Sequence, residues 1–172
     1  MQEAGEAAHP FGTVRLLAMA MERLTVVTVA GRHAPVAVPP FDMPPRTAVL
    51  FPSTGATPVD QLDDGARPET LIVLDASWRH ARRMLHQHPW LNALPHVRLT
   101  DTPPSRYRIR KPPSAEALST LEAVVAALEH LEPDNGDLQL LLDAFDGMVA
   151  RQLAVESGEG HVRGERVRGP RG

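Results

Sequence analysis

Two short, uninterrupted apolar runs constrain the fold of this chain more than any other feature. The segments TAVLFPS (47–53) and TLIVLD (70–75) are each long enough for one strand, and neither alternates apolar with polar residues. Such runs are typical of strands that are buried on both faces, as in a parallel sheet covered by helices. The polar segment 54–69 between them contains glycine, proline and aspartate and is predicted to be a loop.

Helix and strand patterns alternate along the rest of the chain. Helices are predicted over 13–23, 77–88, 114–132 and about 137–155, and further strands over 24–31 and 96–100. The proline-rich segment 34–45 is predicted to be a connection. This alternation indicates an α/β fold with a mostly parallel sheet flanked by helices. We expect a single domain over residues 1–157 and a disordered Arg/Gly-rich tail over residues 158–172.

The composition excludes several kinds of site. The 172 residues include no cysteine, which excludes disulfides, thiolate nucleophiles and Cys-based zinc sites. No apolar run is long enough to span a bilayer and no signal-peptide pattern opens the sequence, so we expect a cytoplasmic protein without membrane contact. Neither GxGxxG nor GxxxxGK[ST] occurs, so nucleotide-phosphate chemistry of those kinds lacks support.

Positive charge is concentrated in one part of a chain whose net charge is −3. Between residues 79 and 111 a single acid, Asp101, accompanies eight cations, which are Arg79, Arg82, Arg83, Arg98, Arg106, Arg108, Arg110 and Lys111. The rest of the chain is therefore strongly acidic. This segregation favours a polyanionic partner on one face, although a solvated, arginine-rich surface would give the same pattern.

The sharpest chemical pattern is Asp75-Ala76-Ser77-Trp78, at the end of the second apolar run. Open α/β sheets bind ligands at the carboxyl ends of their strands, so Asp75 and Ser77 are predicted to lie at a ligand site. In the structural alternative, Asp75 caps the next helix and Trp78 packs into the core. A second acid, Glu122, is predicted to act on a ligand or, alternatively, to stabilise the positive end of its helix.

Four histidines lie near one another in the sequence: His80, His86, His88 and His96. We expect no metal site, because His86 and His88 point to different faces of the predicted helix and no carboxylate has matching spacing. Ser77 and His80 share a helix face as a hydrolase pair would. The glycines that normally flank a nucleophilic serine are missing, which argues against that reading.

Several motifs together resemble those of DTW-domain proteins in order and spacing. They are VLFPS (49–53), TLIVLDASWRHARRML (70–85), YRIRKPP (107–113) and LSTLEAVVAALEHLE (118–132), with GTVRLL (12–17) similar to the family's N-terminal helix. The resemblance covers about residues 12–150. It implies a tRNA-uridine aminocarboxypropyltransferase with a SPOUT-like fold, whose C-terminal trefoil knot binds S-adenosylmethionine. Many relatives carry an N-terminal cysteine cluster, which this chain lacks.

The resemblance also implies roles for individual residues. Asp75 is predicted to remove the proton from uridine N3, or to orient the uracil or the ammonium of the cofactor, and Glu122 is the second candidate for either task. Trp78 is predicted to stack on the flipped base. The predicted cofactor-binding residues are Leu50, Phe51, Pro52, Ser53, Leu99, Arg108, Leu118, Ser119, Thr120 and Ala123. The predicted RNA-binding residues are Ser77, Trp78, Arg79, Arg82, Arg83, Arg106, Arg110 and Lys111.

The implied reaction transfers the 3-amino-3-carboxypropyl group of S-adenosylmethionine to N3 of a tRNA uridine and releases methylthioadenosine. The protein must then present the methylene carbon next to sulfur, instead of the methyl carbon, to the nucleophile. Two alternatives stay open: a non-catalytic RNA-binding accessory protein, and an RNA methyltransferase that uses the same cofactor on the same scaffold. Knotted relatives often dimerise but DTW-type proteins need not, and we expect a monomer.

Overall fold

The computed structural model describes residues 1–7, 12–29, 39, 41–109 and 117–157. Within these ranges the strands are β1 (Gln2–Glu3), β2 (Thr28–Val29), β3 (Thr47–Leu50), β4 (Thr57–Pro58), β5 (Thr70–Val73) and β6 (His96–Arg98). The helices are α1 (Ala4–Ala7), α2 (Thr13–Ala20), α3 (Trp78–Gln87), α4 (Thr120–Leu131) and α5 (Asp137–Glu156). No helix in these ranges is both long and apolar enough to cross a membrane.

All strand pairs in the described part of the chain are parallel. The main sheet has the order β4-β6-β3-β5, with Thr47 of β3 opposite Thr70 of β5. β1 and β2 form a second, two-stranded sheet. A parallel bridge between Gln2 and Asp75 joins that sheet to the residues that follow β5. The predicted α/β fold with a mostly parallel sheet flanked by helices is confirmed.

Both faces of the main sheet are covered, which is why its strands read as continuous apolar runs. Successive strand side chains point to opposite faces. Val49 of β3 packs with Ile72 and with Met84 of α3, whereas Leu50 packs with Ala127 of α4 on the other face. A third cluster joins the helices α2, α4 and α5, and its fully buried members include Leu17, Leu121 and Phe145.

Several predicted boundaries are wrong. The helix predicted over 114–132 begins at Thr120, because Ser119 and Glu122 form a reciprocal capping box that fixes its first turn there. The helix predicted over 13–23 ends at Ala20, and the strand predicted over 24–31 is confined, within the described residues, to Thr28–Val29. The predicted loop 54–69 contains β4 and two short 3₁₀ turns. The tail 158–172 lies outside the described residues.

His88 ends α3 in an apolar environment. The residue is 6% exposed, and its ring lies edge-on to Trp90, with 6.0 Å between the ring centroids. Among the described residues its Nδ1 atom has no hydrogen-bond partner. Burial lowers the pKa of His88 because the charged imidazolium would lose its hydration. His86 is exposed, so the prediction that the two histidines face different sides is confirmed.

Candidate active site

A cleft of about 1080 Å³ opens at the carboxyl ends of β3, β5 and β6. Its walls come from residues 50–52 at the end of β3, from 73, 74 and 76 at the end of β5, from the first turns of α3, from 98–102 at the end of β6, and from 118–120 and 123 at the start of α4. Parallel sheets bind their ligands at this edge, because the strand ends and helix starts converge there. The volume slightly exceeds the roughly 300–1,000 Å³ that is usual for small-molecule pockets.

Most of the predicted cofactor-binding residues meet in this cleft. Eight of them line it: Leu50, Phe51, Pro52, Leu99, Leu118, Ser119, Thr120 and Ala123. The other two are placed elsewhere. Ser53 lies with its Oγ 2.7 Å from Nδ1 of His96, and Arg108 is exposed to solvent. Three separate segments of sequence therefore converge on one apolar wall.

Trp78 forms part of the cleft instead of packing in the core. Its side chain is 37% exposed, and its ring lies 5.7 Å from that of Phe51 at an angle of 52°. The adjacent Ser77 is the N-cap residue of α3, but its side chain makes no capping hydrogen bond. The first turn of α3 thus presents an indole face beside the cleft.

Asp75 lies behind the cleft wall and is 8% exposed. Its Oδ1 accepts a hydrogen bond of 2.6 Å from Thr120 Oγ1, and its Oδ2 accepts one of 2.8 Å from Gln2 Nε2. The alternative in which Asp75 caps α3 is therefore wrong. Thr120 also lines the cleft, so one residue contacts both the cleft and the buried carboxylate.

The N-terminal strand β1 contacts Asp75 directly, and the sequence analysis did not predict this strand. Gln2 is 7% exposed, and the backbone of Asp75 donates a 2.8 Å hydrogen bond to the carbonyl of Met1. The Met1 ammonium donates to the carbonyl of Val73 at 2.6 Å. Burial lowers the pKa of that ammonium to about 6, and the attraction of the Asp75 carboxylate opposes the shift. A two-residue strand shows no periodicity that would mark it in the sequence.

Glu122 holds the start of α4 to the segment before it. Its Oε2 accepts hydrogen bonds from Ser105 Oγ at 2.7 Å and from the Ser119 amide at 2.8 Å, and its Oε1 accepts one from the Arg106 amide at 2.6 Å. Glu122 as a whole is 7% exposed. The alternative in which Glu122 stabilises the helix start is confirmed, and a catalytic role stays a prediction.

The arginines of α3 and β6 divide into free and paired side chains. Arg79 and Arg82 are exposed at the cleft, and no described residue forms an ion pair with either of them. Arg98 also lines the cleft and donates from Nε to a main-chain carbonyl at 3.3 Å. Arg83 is 3.1 Å from the carboxylate of Glu3. Two cations are thus available beside the half-exposed indole.

Exposed and partly buried side chains alternate in the segment before α4. Arg106 and Arg108 are exposed, whereas Tyr107 and Ile109 pack against the core of α2, α4 and α5. Arg106 forms an ion pair of 2.9 Å with Asp146. The remaining predicted RNA-binding residues of this segment, 110 and 111, lie outside the described residues.

Two other sequence hypotheses gain no support from the geometry. His80 Nδ1 lies 3.0 Å from Glu3 Oε2, so its neighbour is a carboxylate and no bond to Ser77 forms in the structure. In the described ranges, no three His, Cys, Asp or Glu side chains converge as a metal site requires.

Comparison with known proteins adds independent information. The profile of the DTW domain matches residues 1–153. The tRNA-uridine aminocarboxypropyltransferase 2 of Drosophila melanogaster is 30% identical over 137 residues, which cover 77% of this chain and 55% of that protein. The protein of the same name from Mus musculus is 31% identical over 109 residues, 62% of this chain and 37% of that protein. The chain therefore spans about half or less of these curated relatives. No solved structure matches it.

Proposed function

Because this chain belongs to the DTW domain family, we propose that it is a tRNA-uridine aminocarboxypropyltransferase. In the proposed reaction the 3-amino-3-carboxypropyl group of S-adenosylmethionine moves to N3 of a tRNA uridine and methylthioadenosine is released. The observation that carries the proposal is the cleft at the strand ends, in which residues of three family-like motifs, VLFPS, DASW and LST, lie together.

The chemistry of the cleft fits such a donor. When bound, S-adenosylmethionine supplies a carbon activated by its sulfonium, with methylthioadenosine as the leaving group. Leu50, Phe51 and Leu99 provide apolar surface for an adenine ring and for the methyl group. Ser119 and Thr120 add polar side chains at the start of α4. The task of these residues is to turn the methylene carbon toward the nucleophile and the methyl group away from it.

Asp75 is proposed to act through Thr120. Asp75 does not line the cleft, whereas Thr120 does, and the hydroxyl of Thr120 already donates to Asp75 Oδ1. Thr120 Oγ1 takes the proton that leaves uridine N3 while its own proton passes to Asp75. Positioned proton transfer of this kind contributes about 10²–10⁴-fold to a rate. Gln2 holds the second oxygen of Asp75 and so fixes the direction of the first.

The RNA is proposed to bind across α3. Trp78 offers a half-exposed indole beside the cleft, and stacking of a flipped base on such a ring is worth about 1–3 kcal/mol. Arg79 and Arg82 are exposed and without acidic partners in the described part of the chain, which suits contacts with phosphates. Arg83 and Arg106 are expected to contribute less because each already lies against an acid.

The SPOUT-like fold, with its C-terminal trefoil knot, is part of the same proposal. The parallel sheet and its flanking helices agree with it. The segment 110–116, through which the chain reaches α4, lies outside the described residues. The cytoplasmic location and the monomeric state likewise stay predictions.

The test is a transfer assay with product identification. Protein, tRNA and S-adenosylmethionine labelled in its amino-acid part are incubated, and the nucleosides are analysed by mass spectrometry. We expect an aminocarboxypropyl uridine from wild type, a rate reduced about 10²-fold or more for Asp75→Ala, and a normal rate for Asp134→Ala, an exposed acid between α4 and α5. A methylated nucleoside would favour the methyltransferase. Salt-sensitive tRNA binding without cofactor binding would favour the accessory protein.

A further inference from the structure

Asp101 is an acid in an otherwise cationic cleft. It belongs to the segment 98–102, which follows β6 and forms one side of the cleft. Among the described residues that line the cleft, the charged ones are Asp101 and the three arginines Arg79, Arg82 and Arg98. A carboxylate repels phosphates, so its position here is unfavourable for RNA binding alone. Its presence indicates a ligand that carries a positive group.

The backbone holds Asp101 in an uncommon conformation. Its φ angle is 49°, in the left-handed region that residues other than glycine rarely adopt, although aspartate and asparagine tolerate it better than most. Observed strain of this kind at a ligand site supports a functional hypothesis. Two hydrogen bonds hold the residues that precede Asp101. Thr100 Oγ1 donates to Asp60 Oδ1 at 2.9 Å, and Arg98 Nε donates to the carbonyl of Ala56 at 3.3 Å.

The side chain of Asp101 does not take part in holding this loop. No described residue donates a hydrogen bond to its carboxylate or forms an ion pair with it, and the residue is exposed. An aspartate that served only the turn would be expected to bond to nearby backbone amides. The carboxylate is therefore available to a ligand that occupies the cleft.

We propose that the Asp101 carboxylate binds the ammonium of the donor's amino-acid arm. This inference rests on the proposed function and adds a specificity residue to it. An amino-acid arm is a zwitterion, and a cleft that offers both a free carboxylate and free guanidinium groups matches both of its charges. Binding of the arm by its ammonium also determines which substituent of the sulfonium points toward the uridine, because it fixes one end of the four-carbon group.

Two thioether ligands distinguish binding of the amino-acid arm from binding of the rest of the donor. S-adenosylhomocysteine carries the amino-acid arm and methylthioadenosine lacks it, and neither has a sulfonium charge. Titration calorimetry compares both ligands on wild type and on Asp101→Asn, since asparagine tolerates the same backbone conformation. We expect Asp101→Asn to weaken S-adenosylhomocysteine about tenfold, as the loss of one charge-assisted contact predicts, and to leave methylthioadenosine unchanged.

Two further variants control for effects on the loop. Asp101→Gly removes the carboxylate and relieves the backbone strain, so it should lose the same affinity for S-adenosylhomocysteine without loss of stability. Asp60→Asn alters the neighbouring carboxylate, which holds Thr100, and should change neither affinity more than twofold. Equal weakening of both ligands by Asp101→Asn, or unchanged binding of S-adenosylhomocysteine, would overturn the inference and leave the proposed function standing. A wild-type protein that binds neither ligand would overturn both.

Discussion

Replacement of Thr120 by valine tests the connection between the cleft and Asp75. Valine has nearly the shape of threonine but no hydroxyl, so Asp75 Oδ1 would lose its 2.6 Å hydrogen bond and keep no other donor among those identified. A hydrogen bond to a charged group contributes about 1.5–3 kcal/mol. Thr120 lines an open cleft, and water can replace part of the lost bond there. We therefore expect a loss of about 1.5–2 kcal/mol in the free energy of unfolding.

Urea unfolding and thermal unfolding both measure this loss. For a chain of this length each kcal/mol corresponds to about 2–4 °C, so the Tm of Thr120→Val should fall by about 3–8 °C. Thr120→Ser is the matched control, because it keeps the hydroxyl and loses only a partly exposed methyl group, which costs less than about 0.8 kcal/mol. In the transfer assay, Thr120→Val should lose activity as Asp75→Ala does, and Thr120→Ser should retain it.

The opposite pattern would refute the reasoning. If Thr120→Val were as stable and as active as Thr120→Ser, the hydroxyl would neither stabilise the buried carboxylate nor carry a proton to it. If Thr120→Val were less stable yet fully active, the hydrogen bond to Asp75 would stabilise the fold, but Thr120 would have no part in the reaction.

Two further predictions concern RNA binding and pH. The affinity for tRNA is measured at several salt concentrations, and the double variant Arg79→Gln, Arg82→Gln should lower the steepness of log affinity against log salt by about 2. The control Arg23→Gln, which replaces a side chain near Glu132 at the far end of α4, should leave the slope unchanged. Equal slopes for wild type and the double variant would exclude phosphate contacts by Arg79 and Arg82. For His88, burial lowers the folded-state pKa, so the unfolded chain binds the proton more readily and stability falls as pH drops below about 6.5. In Tm measurements between about pH 7.5 and 5.5, His88→Phe should flatten this decline, and His86→Gln should leave it as in wild type; an unchanged profile for His88→Phe would contradict the assignment.

Much of the fold was readable from local patterns. The apolar run that contains Thr47–Leu50 predicted a strand buried on both faces, and the structure buries all four of its residues. A helix was predicted over about 137–155, and Leu138, Leu141 and Phe145, which recur there at helical spacing, are buried in α5. These predictions hold because burial determines where apolar residues recur. A strand buried on both faces is apolar throughout, and a helix buried on one face is apolar about every 3.6 residues. Residues of the family-like motifs VLFPS, DASW and LST line one cleft at the strand ends.

The sequence could not show which residues support Asp75. Gln2 and Thr120 are separated from it by 73 and 45 positions, and neither stands in a pattern that marks a carboxylate partner. A hydrogen bond between distant residues leaves no period in either segment. For the same reason the start of α4 was placed too early: Ser114 and Ser119 both precede helix-forming residues, and the capping box selects Ser119 through Glu122, which also binds Ser105 and Arg106.

By itself the sequence determined a cysteine-free α/β chain with buried parallel strands and a cationic stretch from Arg79 onward, because composition and periodicity follow directly from burial and solvation. Only the tertiary structure decided that Asp75 faces Thr120 and Gln2 instead of the next helix, and that Asp101 stands free with φ at 49° in the same cleft as the arginines. The physical reason is that a site is made by the convergence of strand ends and helix starts, and convergence depends on how the elements pack and not on any one of them.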